Sequence, residues 1–260
     1  MSWSDPYVYD DCGVLKNKFG IKNQKELLLK ELEIVIVELY TLRIKPLKGD
    51  YNFDHLCAMH KQIFGRLFDW AGQPRITNIL KDEEILNNHS IQYEDWTRIE
   101  DSATKILSSM KAVSWKEPDQ ERQAFEIASH YAQLWRVHPF REGNTRTITN
   151  FMIQYLEDQG IFLSRSYFSQ KVSQLRDYLV LAAAYYDGTG KQAYLEPLKS
   201  MIKKSMERYT LDMERYKNNT SKRKMSMKDY LKKIFTKKTN ARDSQNSLNS
   251  RNKDIFGKER

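Results

Sequence analysis

Between Glu117 and Asp158 two strongly periodic helical stretches follow one another with only the short break His138–Gly143 between them, and this constrains the fold more than any other feature. In Glu117–Val137 the apolar residues Phe125, Ile127, Ala128, Tyr131, Ala132, Leu134 and Trp135 recur at three- and four-residue steps, which places them on one helix face. Asn144–Asp158 predicts a second helix, ended by Gly160. The same periodicity marks Asn23–Leu47, Asp50–Phe68, Tyr93–Val113, Ser169–Tyr186 and Tyr194–Tyr216. No βαβ alternation and no internal repeat interrupt this series, so the pattern predicts an all-α fold. One stretch departs from it. After the breakers in Trp70-Ala71-Gly72-Gln73-Pro74-Arg75, residues Ile76–Asn88 are short, charged and partly alternating, and predict a small β-hairpin around Lys81–Glu84.

Apolar residues make up 40% of the 260, enough for a core, and the mean hydropathy of −0.72 with 30% charged residues is that of a soluble chain. No apolar run approaches the ~20 residues of a membrane helix. Residues Met1–Pro6 carry neither a basic start nor an apolar stretch, so no secretory leader is expected. Cys12 and Cys57 are too few for a disulfide framework or a zinc spacing, and both are expected to stay reduced in a cytosol.

The net charge of +9 is unevenly placed. From Tyr216 onward fourteen Lys and Arg face four acids, which leaves residues 1–215 close to neutral. The chain therefore divides into an irregular lead-in (1–13), a helical domain (14–216) and a basic tail (217–260) whose composition reads as disordered. Such a tail attracts nucleic-acid backbones only without sequence preference, and with few aromatics among its charges it reads as a solvated tail or a secretion signal.

The chemistry is concentrated in His138-Pro139-Phe140-Arg141-Glu142-Gly143-Asn144-Thr145-Arg146-Thr147, a loop that runs into a helix N-terminus. Unpaired backbone N–H groups and the helix dipole make such a terminus an anion site suited to phosphates. Gly143 allows close backbone approach, Asn144 suits an N-cap or a tie to the loop, and Arg146 offers a planar donor fork. His138 can take a proton near neutral pH, and Glu142 is a hard oxygen ligand for Mg²⁺. Each residue alone has an ordinary structural reading: a capping His, a first-turn acid, a surface Arg, and in Phe140 a core anchor. Their combination at one helix entry is what points to phosphate chemistry.

The segment resembles the signature of the Fic family, His-x-Phe-x-Asp/Glu-Gly-Asn-Gly-Arg-x-x-Arg. Leu15-Lys16-Asn17-Lys18-Phe19-Gly20 and Phe68–Arg75 are similar to the flanks of Fic domains in type IV secretion effectors and related bacterial toxins, and the likeness spans roughly residues 10–200. It implies a protein adenylyltransferase that moves AMP from ATP to a Ser, Thr or Tyr hydroxyl of a target protein, in the cytoplasm or exported into a host cell. By the same resemblance His138 is the general base, Phe140 the anchor and Glu142 the ligand of Mg²⁺. Gly143, Asn144, Thr145 and Arg146 surround the phosphates of the ATP co-substrate. Ile76, Thr77, Asn78, Ile79 and Leu80 belong to a flap that positions the target. The adenine would lie near the Arg176–Asp187 helix.

Two positions depart from the pattern. Thr145 replaces its third glycine and Thr149 its second arginine, which removes a charge-assisted contact worth roughly 1.5–3 kcal/mol. Another nucleotide donor, phosphotransfer, or a catalytically impaired binding module are the alternatives this opens. Thr210-Leu211-Asp212-Met213-Glu214 matches the first part of the family's inhibitory motif, with Arg215 where Gly or Asn would follow. A separate antitoxin-like inhibitor is the other form of control the resemblance allows.

Overall fold

The computed structural model describes residues 5–116, 119–184 and 194–220, and the side chains among them apart from Thr210 and residues 212–220. Among the described residues eight α-helices follow in order: α1 (Gln24–Ile44), α2 (Phe53–Phe64), α3 (Ile99–Lys111), α4 (Gln120–Val137), α5 (Asn144–Asp158), α6 (Arg165–Gln170), α7 (Val172–Ala184) and α8 (Glu196–Thr220). No strand occurs among the described residues, only isolated antiparallel bridges at Val8–Leu15 and Glu83–His89. The chain separates into a unit Met1–Asp212 and a unit from Met213 onward. The tail beyond Thr220 lies outside the described residues, and residues 217–220 continue α8.

Local signals explain the helix starts. Asn23 accepts from the N–H groups of Lys25 and Glu26, Asn52 from His55, Asp119 from Glu121 and Arg122, and Ser164 from Tyr167. The Ser164 cap begins α6 four residues ahead of the expected Ser169 start, and a non-helical Lys171 separates it from α7. α5 differs: no side chain caps it, and its N-cap is Gly143.

α4 is the central element and packs against α3, α5 and α7, while α5 also packs against α2. Ala124, Ile127, Ala128, Tyr131, Leu134 and Trp135 of α4 are buried with Ile148, Phe151, Met152 and Leu156 of α5. The Leu, Ile, Phe and Met side chains among these each gain about 1.5–3 kcal/mol from full burial, so the α4–α5 pair forms a firm base for the loop between them.

The expected hairpin is present as a reversal without a ladder. A single turn of 3₁₀ helix (Glu84–Leu86) is followed by Asn87 and Asn88 at φ 53° and 63°, and one bridge joins Glu83 to His89. Two left-handed asparagines turn the chain, while Glu83 points inward and is fully buried. Residues 76–80 alternate between exposed and partly buried, with the chain bent at Ile76 and Thr77.

Candidate active site

α4 ends at His138, whose left-handed backbone (φ 49°) turns the chain out of the helix and drives the next residues back toward the core. Orphan carbonyls at this end are met by an unusual partner. Arg75, 1% exposed, donates from Nε to the His138 carbonyl (2.9 Å) and from Nη2 to that of Val137 (3.3 Å). Its remaining bonds go to the carbonyls of Thr77 and Glu94, and its own N–H donates to the Pro139 carbonyl at 2.8 Å. A buried cation at a helix C-terminus also complements the dipole there.

The loop is closed from the other side by Asn144. Its Oδ1 accepts from the Phe140 N–H (2.9 Å) and its Nδ2 donates to the Phe140 carbonyl (2.7 Å). Asn144 thus holds the loop and does not cap α5, one of the two roles its sequence position allowed. Phe140 is fully buried and stacks on His60, with ring centroids 3.9 Å apart. His60 accepts from the Gly72 N–H at Nδ1 (2.8 Å), which leaves Nε2–H to donate to the Glu142 carbonyl at 3.0 Å. Burial lowers its pKa to about 4, so it acts as a neutral strut. Gly143 has φ 84°, and a Cβ there would collide with the Phe64 ring; only glycine fits this position.

His138 is 3% exposed. Its Nδ1 lies 3.3 Å from the Trp135 carbonyl, the arrangement of an Nδ1–H donor, while Nε2 is buried without a hydrogen-bond partner. Burial first, then the charges of Lys81, Arg75 and Arg176, hold its pKa well below the ordinary histidine range. The ring is neutral at physiological pH and Nε2 presents a lone pair. It borders a cavity of about 60 Å³ shared with Lys81, Trp135, Glu142, Arg176 and residues Gly143–Arg146.

Glu142 accepts from the Gly143 N–H at Oε1 (2.9 Å) and lies 3.5 Å from Arg146 and 3.6 Å from Lys81. Burial alone would raise its carboxyl, but Lys81, the Gly143 N–H and Arg146 outweigh it and keep the group below the usual range. Arg146 stands over the Phe64 ring, between Glu142 and Glu31 of α1, to which it also forms an ion pair. The Thr145 hydroxyl accepts from the Trp135 indole N–H at 2.9 Å. Thr149 bonds to the Tyr131 hydroxyl and to the Thr145 carbonyl, so a neutral, satisfied side chain occupies that face of α5.

No group of three or more His, Cys, Asp and Glu that could hold a metal by themselves occurs among the described residues. A lone, partly exposed carboxylate fits Mg²⁺ in another way, because that ion usually binds through one or two carboxylates plus substrate phosphates. Among the flap residues, Ile76 donates its N–H to the Tyr7 hydroxyl, the Thr77 carbonyl is held by Arg75, and Asn78 bonds to Asp95 and to the Trp96 N–H. Ile79 packs on the core, and Leu80 is 85% exposed.

Several residues that shape the site were not legible as such: Arg75, His60, Glu31, Glu83, Lys81 and Arg176. Glu31 left a signal, a charge standing in the buried stripe of α1 between Leu27 and Ile34. The resemblance placed Arg176 only in the helix near the adenine, and its pairing with Glu83 left no signal, since the two meet 93 residues apart in sequence.

The Fic/DOC family pattern matches residues 50–156, which span α2 through most of α5. Probable protein adenylyltransferase y4lH of Sinorhizobium fredii is 30% identical over 164 residues, covering 62% of this chain and 80% of y4lH. The chain belongs to the Fic family. Protein adenylyltransferase VbhT of Bartonella schoenbuchensis is 30% identical over 158 residues, 60% of this chain, which spans about a third (32%) of VbhT. The fold is shared with BepC of Bartonella tribocorum, solved with bound AMPPNP (TM-score 0.61, 21% identity, 76% of this chain and 95% of that one). The type IV secretion effector BepA gives a TM-score of 0.62 at 22% identity, over 86% of this chain and 76% of that one. No helix among the described residues is long and apolar enough to cross a membrane.

Proposed function

We propose that this chain is a protein adenylyltransferase that transfers AMP from ATP to a Ser, Thr or Tyr hydroxyl of a target protein. One observation carries the proposal: a buried, neutral His138 presents an unpartnered Nε2 to the same cavity as the uncapped N-terminus of α5. A base and an anion site face one another across that space, as phosphoryl-type transfer requires. The names of y4lH and VbhT, and the AMPPNP bound to BepC, support the same reading.

In this mechanism the α-phosphate lies against the backbone N–H groups at the start of α5, with Asn144 keeping the loop in register. His138 Nε2 removes the proton of the target hydroxyl as its oxygen attacks the α-phosphorus. The bond from that phosphorus to the bridging oxygen breaks, and pyrophosphate leaves. Glu142 would hold Mg²⁺ arriving with the nucleotide, which neutralises part of the phosphate charge. The flap residues Ile76–Leu80 align the target segment by backbone pairing. Export into a host cell and control by a small inhibitor belong to this proposal.

Intact-mass analysis of lysate proteins after incubation with each of the four nucleoside triphosphates tests it. Additions of the adenylyl mass with ATP alone are expected. Phosphate-mass additions, or additions with another donor only, would replace AMP transfer by that reaction.

A further inference from the structure

We propose that Lys81 and Arg176, which lie outside the loop–helix segment, form the cationic clamp for the outer phosphates of the nucleoside triphosphate. This rests on the transferase reading above and names the residues that hold the part of the donor leaving as pyrophosphate.

The cations around the cavity can be taken in turn. Arg75 is buried with its guanidinium bonded to backbone carbonyls. Arg141 is bound to Asp5, at 2.9 Å from Nε and 2.7 Å from Nη2. Arg146 lies between Glu31 and Glu142 and over Phe64, so its charge is largely offset. α5 supplies no further cation at Thr149, whose hydroxyl is tied to Tyr131 and Thr145. A triphosphate in this space needs positive charge from elsewhere.

Lys81 and Arg176 line the same cavity as His138 and Glu142 and approach it from two other elements. The Lys81 Nζ is 3.6 Å from Glu142 Oε2, outside hydrogen-bond distance, so its donors can turn toward a stronger acceptor. Arg176 makes a two-pronged pair with Glu83, at 2.6 Å and 2.9 Å. That pairing uses one N–H on each terminal nitrogen and leaves Nε–H and the other two for a ligand; the side chain is 42% exposed. Glu83 is itself fixed by the Tyr93 hydroxyl (3.1 Å) and stands two residues from Lys81. The buried Glu83, on the same flap segment that carries Lys81, therefore fixes Arg176. Lys81 and Arg176 also act on His138, where their charges help to keep the ring neutral.

Calorimetric titration of the full chain with AMPPNP, AMP and inorganic tripolyphosphate tests the clamp. Lys81→Met should weaken AMPPNP and tripolyphosphate about tenfold, the loss of one charge-assisted contact, and leave AMP within about twofold. Because Arg176→Met alone would strand the buried Glu83, the double variant Arg176→Met/Glu83→Gln is the companion, with the same expected selectivity. Thermal melting confirms that each variant is folded. AMPPNP affinity equal to wild type in both variants overturns the clamp while leaving the transferase reading intact, as does an equal loss for AMP. Lys81-dependent binding of tripolyphosphate without binding of AMPPNP sinks the transferase reading and keeps an anion clamp. A wild-type chain that binds none of the three overturns both.

Discussion

The loop His138–Gly143 and the flap Ile76–Leu86, whose Lys81 lines the same cavity, are held in different ways. Backbone groups of the loop are fixed on both sides by buried side chains: Arg75 below, Asn144 within, and His60 stacked on Phe140. The flap has one bridge, a short 3₁₀ turn and scattered side-chain ties at Ile76, Asn78, Lys81 and Glu83, with Leu80 exposed among them. Reacting groups need positions fixed to a fraction of an ångström, whereas a segment that receives many extended partners needs free backbone groups. On the proposed function, these two textures divide chemistry from recognition.

Damage to the loop should therefore remove the reaction, and damage to the flap only its efficiency. His138→Ala is expected to reduce AMP transfer about 10²–10⁴-fold, the usual contribution of a general base, while thermal melting stays close to wild type. Labelled-adenylate transfer measures it, and an active alanine variant would remove His138 from the mechanism. Arg75→Met should cost at least about 3 kcal/mol in urea unfolding, because each stranded buried carbonyl costs roughly 1–3 kcal/mol. A neutral result would mean that water replaces the guanidinium at the end of α4.

The strut His60 gives a pH signature. Its folded pKa of about 4 lies below the unfolded value near 6.5, so the unfolded chain takes up the proton first. Its contribution is complete above pH 6.5 and is lost as pH falls toward 4, by up to about 3 kcal/mol. His60→Gln should flatten the stability curve over that interval relative to wild type, as followed by urea unfolding at stepped pH. Parallel curves would place the acid sensitivity elsewhere. The smallest effect is expected at the flap. Leu80→Ser should leave stability within about 0.5 kcal/mol and raise the KM for a protein target a few-fold without moving kcat. A fall in kcat instead would join the flap to the chemistry and weaken the contrast between the two regions.

Much of this was legible in the sequence because the signals are local. The apolar period of Phe125–Trp135 gave α4, and Asn144–Asp158 matched the bounds of α5 to the residue. The grouping of His138, Glu142, Gly143, Asn144 and Arg146 at a helix entry pointed to the site, because all of them lie within nine residues. The role of Asn144 was less decided: its type suits a cap equally well, and only the position of the Phe140 backbone selects the tie to the loop. The hairpin was expected from alternation, yet alternation does not specify a ladder, and the inward pull of Glu83 leaves a single bridge.

The sequence by itself determined the helices, the break between α4 and α5, and the titratable and charged groups placed at that break, since each depends on neighbours within a turn or two. Tertiary structure decided what surrounds them. It brought Arg75 to the end of α4, Glu31 to Arg146, and Lys81 and Arg176 to the cavity of His138. Those meetings join residues 63, 115 and 93 positions apart (His138 with Arg75, Arg146 with Glu31, Arg176 with Glu83). A charge gains such a partner only when packing has already excluded the water that would otherwise solvate it, and no periodicity in the chain records that event.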